Sequence, residues 1–232
     1  SIVEGEDFNS FYGGYFEKNA NGSFVTDAGG FPVIADENGV TGSAQPDYRA
    51  GLGASITKGN WDLSFIFDTT QGNEMWAGTY SVLHYFGIHP NTAVESVAPS
   101  DLAIYGGGTI PAGTTFRGNI GNFGGGPVAL EESWYRTDGG GFGSQDELFI
   151  FDASFIKLRE VSLSYSLPSS ILEPIGAKGG SLGVTGRNFL LQTDFPDIDP
   201  EISLVGAGKA RGVEYFTNPN TESVLLNLKL NF

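Results

Sequence analysis

The chain contains no cysteine. Disulfide frameworks, thiolate metal sites and cysteine nucleophiles are excluded together, and the composition suits an oxidising compartment where stray thiols are a liability. Basic residues are scarce, 12 Lys and Arg against 27 Asp and Glu, for a formal net charge of −15. That balance opposes a phosphate backbone, which needs clustered positive charge, so no nucleic-acid partner is expected. No stretch approaches the ~20 consecutive apolar residues of a spanning helix. The opening Ser1-Ile2-Val3-Glu4-Gly5-Glu6-Asp7 has no basic start and no apolar run, so an export signal is expected to be absent or already removed. Neither Gly-x-Ser-x-Gly nor His-Glu-x-x-His occurs, and no enzyme is expected.

What is abundant is glycine, 35 of 232 residues and about twice the usual share, beside 13% aromatic positions. This argues against a helical bundle and for turns and strands. Period-two alternation over some ten residues is the strongest pattern. Val224, Leu226, Leu228, Leu230 and Phe232 share one parity while Asn227, Lys229 and Asn231 take the other. Tyr48, Ala50, Leu52, Ala54 and Ile56 oppose Arg49, Gly51, Gly53, Ser55 and Thr57 in the same way. Trp61, Leu63, Phe65 and Phe67 face away from Asp62, Ser64 and Asp68, with Ile66 the exception, and Lys58-Gly59-Asn60 joins the two runs as a hairpin turn. Val161, Leu163, Tyr165 and Leu167 stand against Ser162, Ser164 and Ser166. Upstream, Ile156 and Leu158 carry the parity of the serines, which predicts a bulge near Arg159 and Glu160. A weaker strand spans 181–193, and 11–16 is a candidate first strand.

The expected strands are therefore 11–16, 48–57, 61–70, 155–167, 181–193 and 222–232. Their connectors alternate: 18–47, 71–154 and 194–221 are long, whereas 58–60 and 168–180 are short. An antiparallel meander with tight turns on one side and elaborate loops on the other is the layout of an outer-membrane barrel, and ten residues tilted by ~45° span ~23 Å. A secreted β-sandwich that binds glycans has alternating strands and glycine-rich loops as well.

Several segments resemble SusC/RagA-family TonB-dependent transporters of the Bacteroidetes outer membrane. Gly13-Gly14-Tyr15, Asn21-Gly22-Ser23, Gly42 and Pro46-Asp47-Tyr48 resemble the run into one family strand, and Trp61-Asp62-Leu63-Ser64-Phe65 with Gln71-Gly72-Asn73 resembles the next hairpin. The most specific block runs from Phe151-Asp152-Ala153-Ser154-Phe155 through Lys157-Leu158-Arg159 to Tyr165-Ser166-Leu167-Pro168. Gly186-Arg187-Asn188-Phe189, Asp199-Pro200-Glu201 and the terminal Phe232 follow in the family's order. The resemblance implies an all-β fold: C-terminal antiparallel strands of a large multi-pass transmembrane barrel with long extracellular loops, too few to close alone. It implies import of glycans or peptides together with a SusD-like surface lipoprotein, driven from TonB through a plug region not in this chain. It also implies that the rest of the barrel and membrane lipid are the other partners. A SusC-like barrel that scaffolds other surface machinery is a further reading.

On that topology Val224, Leu226, Leu228, Leu230, Leu63, Phe65 and Leu163 face lipid. Trp61, Tyr165 and Phe232 mark one membrane interface, and Tyr48 and Phe155 the other. Trp76, Tyr105, Trp134 and Tyr135, among the loop aromatics, suit either stacking on a ligand or packing of loops on one another. Asp194, Asp197, Asp199 and Glu201 cluster in a long loop as candidate calcium ligands, with a solvated acidic loop as the alternative and no other cofactor expected. His84 and His89, the only histidines, are spaced to lie on opposite faces of a strand. Glycine clusters at 106–108, 124–126 and 139–141 read as mobile or ligand-shaped loop.

Overall fold

The computed structural model describes residues 2–142, 146–205 and 211–232. The chain divides into two compact units. The strand unit comprises Pro46–Asn73, Ala153–Glu201 and Asn218–Phe232; the loop unit comprises Ser1–Gln45, Glu74–Asp152 and Ile202–Thr217.

The strand unit is one antiparallel sheet of five strands. We number them β1 (Tyr48–Lys58), β2 (Trp61–Gln71), β3 (Phe155–Ser166), β4 (Gly179–Thr193) and β5 (Ser223–Asn231). Their spatial order, β5-β4-β3-β2-β1, is that of a meander. The β1–β2 turn is tight because Gly59 adopts φ +60°, a left-handed conformation that side chains resist. At this same end of the sheet lie the β3–β4 turn and the C-terminus. The three long connections leave from the opposite end, where Tyr48 pairs with Gln71 and Phe155 pairs with both Thr70 and Thr193.

Register turns the alternation of each strand into two continuous faces. One rung joins Ile56, Leu63, Leu163, Val184 and Leu226; the next joins Ala54, Phe65, Val161, Gly186 and Val224. All seven expected lipid-facing residues lie on this one apolar face, and it is uncovered, Leu226 being 80% exposed. Among the described residues no second sheet covers it, whereas a sandwich buries its apolar faces against each other. On the opposite face Ser55, Ser64, Ser162 and Thr185 form a hydroxyl ladder, with Ser162 and Thr185 2.8 Å apart. At the centre of the apolar face Gly186 makes room for the Phe189 ring, which comes within 1.8 Å of where a Cβ would stand.

The register slips between Leu158 and Glu160 against both neighbours: against β2 Arg159 is the extra residue of a β-bulge, and against β4 it stands opposite two residues, Asn188 and Phe189. The phase change read in the sequence is this bulge. Its consequence corrects one expectation. Upstream of it the outward positions are Ile156 and Leu158, whereas Phe155 points to the polar face and is only 5% exposed, so Phe155 belongs to no lipid-facing girdle. Tyr48 does lie on the apolar side, and Trp61 and Tyr165 pack together with ring centroids 4.7 Å apart.

The expected first strand is shorter than 11–16 and belongs elsewhere. Ser10–Gly13 pairs with Gly39–Ser43 inside the loop unit. The excursion 71–154 is not an open loop either. It contributes small sheets, a helix Gly78–Tyr85 and, through Val128 and Trp134, half of a core in which they are buried together with Phe16 and Phe31. Glycines 139–141 are packed into this unit rather than mobile: a Cβ on Gly140 would stand 1.9 Å from the Tyr135 carbonyl oxygen.

The helix Gly78–Tyr85 has no side-chain cap of its own. One of its free N–H groups, that of Thr79, is met from a distant segment. Glu214, 0% exposed, accepts from the Thr79 N–H at 3.1 Å and from the Thr79 hydroxyl at 2.7 Å. A carboxylate at a helix N-terminus satisfies orphan donors and complements the helix dipole. Glu214→Ala should therefore destabilise the loop unit by about 1–3 kcal/mol, the cost of buried donors left unpaired. Hydrogen exchange should quicken at Thr79 and along the helix while that of β2 and β3 is unchanged; equal acceleration in both units would contradict it.

Candidate functional site

The polar face of the strand unit carries a network of buried and half-buried charges. Lys157, next to the bulge and 2% exposed, donates to Asp199 at 2.9 Å and to Glu201 at 2.7 Å. Arg159 reaches Asp68 at 2.8 Å and also pairs with Glu201. The bulge makes this possible, because it turns Arg159 onto the same face as Lys157 and Asp68. Asn220 donates to Asp199 at 2.9 Å, and the Glu201 N–H donates to the other Asp199 oxygen at 3.1 Å. Beyond the bulge Arg187 pairs with Glu160 at 2.9 Å. The Arg159 guanidinium also lies over the Phe155 ring, 5.9 Å from its centroid.

Two sequence-remote segments, 199–201 and 218–222, are thereby fastened to the polar face of β2 and β3. Burial alone would raise the Asp199 carboxyl, but hydrogen bonds from Lys157, the Glu201 N–H and Asn220 hold it below the usual carboxylate range. Of the four acidic residues considered as calcium ligands, Asp199 and Glu201 are committed to Lys157 and Arg159, and Asp194 and Asp197 are exposed. Among the described residues no group of three or more side chains is arranged to hold a metal ion. The Asp-Pro-Glu segment shapes its loop through ion pairs.

The loop unit contains the larger hollows. One cleft of 440 Å³ is lined by Tyr85, Phe86, Phe116, Arg117, Glu131, Glu132, Tyr135 and Arg136. Arg136 sits over the Tyr85 ring at 5.1 Å, and Arg117 donates to the Gly87 carbonyl at 2.7 Å. A second of 470 Å³ is lined by Tyr80, His84, Asn91, Asn119, Tyr135 and Phe149. Both volumes fall in the range of small-ligand sites. Tyr135 borders both clefts, and burial raises its phenol above the ordinary value against a lowering hydrogen bond from Asn119.

The four candidate ligand aromatics separate. Tyr135 faces cleft space. Trp134 is 3% exposed and packs on Phe31, with ring centroids 5.6 Å apart. Its ring belongs to the buried core and also borders the second cleft. Tyr105 packs edge-on against Phe31 and gives its hydroxyl to Asp138; burial first and then this carboxylate push its phenol up to about 12. Trp76 stacks on Tyr215 beside Asp146, whose carboxyl burial raises. Packing of loops on one another therefore accounts for Trp134, Tyr105 and Trp76.

The histidine expectation is overturned. His84 and His89 are stacked, ring centroids 4.2 Å apart, with Tyr80 against both. The spacing argument assumed one regular element, whereas the helix ends at Tyr85 and the chain folds back through a short turn at Pro90–Thr92. Asn21-Gly22-Ser23 forms a turn in which Asn21 accepts from the Ser23 N–H at 3.1 Å.

No family model matches the chain. Among curated relatives it is 29% identical over 230 residues to TonB-dependent receptor P26 of Formosa agariphila, a match covering 94% of this chain and 19% of that protein. It is 25% identical over 259 residues to TonB-dependent receptor P3 of the same organism, covering 100% and 23%. The chain thus spans about a fifth of the length of the curated relatives it matches. Among solved structures it superimposes on the RagAB peptide importer in its open-open state with a TM-score of 0.55 and 17% identity, covering 96% of this chain and 22% of that one. A second RagAB peptide transporter structure gives 0.55 and 20%, covering 97% and 23%. The fold is that of part of a large outer-membrane β-barrel.

The ion-pair network makes a stability prediction. Lys157→Met should destabilise the strand unit by about 3–5 kcal/mol, because it leaves Asp199 buried without its cation. A carboxyl whose folded pKa is depressed stabilises the fold above the unfolded value near 3.9 and loses that contribution as pH falls through the folded value. Thermal melts of the wild type should therefore weaken on acidification below about pH 4, and the part of that loss carried by Asp199 should shrink in Lys157→Met, which keeps only the hydrogen bonds from the Glu201 N–H and Asn220. An identical acid profile in both would contradict the assignment.

Proposed function

We propose that the chain forms part of the wall and the extracellular loops of a TonB-dependent nutrient importer of the SusC/RagA type. The reading rests above all on one observation: the sheet exposes a continuous apolar face while β1 and β5, among the described residues, have no strand paired on their outer edges. Water tolerates neither arrangement well, since an uncovered apolar face and a bare sheet edge are both aggregation hazards. A bilayer solves the first, and further barrel strands solve the second. Eleven-residue strands at ~3.3 Å per residue and ~45° tilt cover roughly 25 Å, the height of the apolar band of such barrels.

The orientation follows from the turns. Short connections belong on the periplasmic side and long ones outside, so Trp61, Tyr165 and Phe232 lie at the periplasmic interface and the loop unit is extracellular. The similarity to TonB-dependent receptors supports energy input through a plug supplied by the remainder of the protein. The Asp199-Pro200-Glu201 latch and the two clefts lie on segments reached through the long connections, where cargo and a SusD-like surface lipoprotein would be met. The structural likeness is to a peptide importer, and peptide cargo is the substrate class this reading favours over glycans. The segment binds and walls; it carries no catalytic step.

Facing is testable in the full-length protein. Leu228→Arg should impair assembly in the outer membrane by about 2–4 kcal/mol if residue 228 meets lipid near mid-membrane, whereas Asn227→Arg should be tolerated in a watery lumen. Folded and unfolded fractions after extraction in detergent give the readout. Equal effects at both positions, or a soluble product that needs no detergent, would overturn the barrel reading.

A further inference from the structure

The β3–β4 turn is more than a short connector. Ser169–Leu172 forms a helical turn continued by a tighter turn over Glu173–Ile175, which ends at Gly176 in a left-handed conformation, φ +75°. Leu172 is buried, and its place is fixed by Gly180: a Cβ there would stand 2.9 Å from Leu172 Cδ2 and 3.0 Å from Leu230 Cδ2. Gly180 pairs with Leu230, one rung beyond the Leu182 and Leu228 pair, and Leu230 belongs to the apolar face. The turn therefore folds outward over that apolar side rather than toward the polar one.

Folded this way, the turn leaves two large apolar side chains uncovered, Ile171 at 53% and Ile175 at 51%. They are four residues apart, while Ser169, Ser170, Glu173 and Lys178 are also exposed around them. The neighbouring rung of the same face carries the Trp61 and Tyr165 pair. Amphipathic aromatics of this kind sit at the level of lipid headgroups. A short amphipathic turn at that level, apolar tips out and charges beside them, fits the plane of the interface.

We infer that residues 169–175 are an interfacial wedge, in which Ile171 and Ile175 insert into the phospholipid leaflet on the short-turn side while Leu172 anchors the turn to the barrel wall. The occupant is lipid because the wedge continues the apolar face of the sheet, and this rests on the barrel reading above. The wedge extends the hydrophobic height of the wall locally and fixes the depth at which β3 and β4 end.

Spin labels read this directly. Ile171→Cys, Ile175→Cys, Leu228→Cys and Asn227→Cys are introduced singly into the full-length protein, from which any other cysteine has been removed. Each is labelled and reconstituted in vesicles of phosphatidylethanolamine and phosphatidylglycerol. Collision rates with oxygen, which concentrates in lipid, and with a water-soluble nickel chelate are then compared. The wedge predicts a ratio of oxygen to nickel collisions at 171 and 175 severalfold above that at 227 and below that at 228, the ordering of a shallow lipid site. A water-like ratio at 171 and 175 with a lipid-like ratio at 228 overturns the wedge and leaves the barrel standing. Low collision rates with both reagents at 171 and 175 mean burial against protein and overturn it as well. A water-like ratio at 228 removes the barrel reading and the wedge with it.

Discussion

Everything in this structure depends on where the backbone hydrogen bonds at the two margins of the five-stranded sheet are satisfied. Inside the sheet every strand is paired along its length, interrupted only by the register shift at Arg159. At the outer edges of β1 and β5 the described residues offer none. In hydrocarbon each unpaired amide or carbonyl costs several kcal/mol, so an open sheet with a greasy face is a stable object only as part of a closed barrel. The relatives that the chain matches are about five times its length, which is the room such closure needs.

The bulge at Arg159 connects this wall to its polar side. An uninterrupted strand would alternate Lys157, Arg159 and Val161 on one face and set cations among the apolar side chains. The extra residue returns Leu158 to the apolar face and puts Lys157, Arg159 and Glu160 opposite it. The two cations, Lys157 and Arg159, then find carboxylates on β2 and on the segment following β4, and Glu160 pairs with Arg187 of β4. The backbone irregularity at Arg159 thus keeps these charges off the apolar face and holds the start of the long connection, 194–201, against the strands.

Much of the wall was legible in the sequence because a strand's alternation is local. Val224 to Leu230, Leu63 to Phe67 and Val161 to Tyr165 each declare their faces, and even the bulge shows as a phase break. The same rule misplaced Phe155, since the parity downstream of the bulge does not extend past it. The loop unit was largely illegible. Its short strands, such as Glu74–Ala77 between Ile150–Asp152 and Val213–Glu214, pair across large separations, and no local period marks them. Glu214 gave no signal as the partner of Thr79, 135 positions away. His84 and His89 met only because the chain reverses at Pro90, which proline itself hinted at but spacing could not convey. Trp134 suited a platform and loop packing equally in the sequence and lies in a buried core, as aromatic abundance alone does not separate the two.

The most direct test of the account is amide hydrogen exchange along β1 and β5 in the full-length protein in detergent or lipid. Neighbouring strands on both margins predict slow exchange throughout 48–58 and 223–231, matching that of the interior strands β2 and β3. Rapid exchange along both outer strands, with β2 and β3 protected, would mean that the sheet ends where this chain ends, and would contradict the barrel.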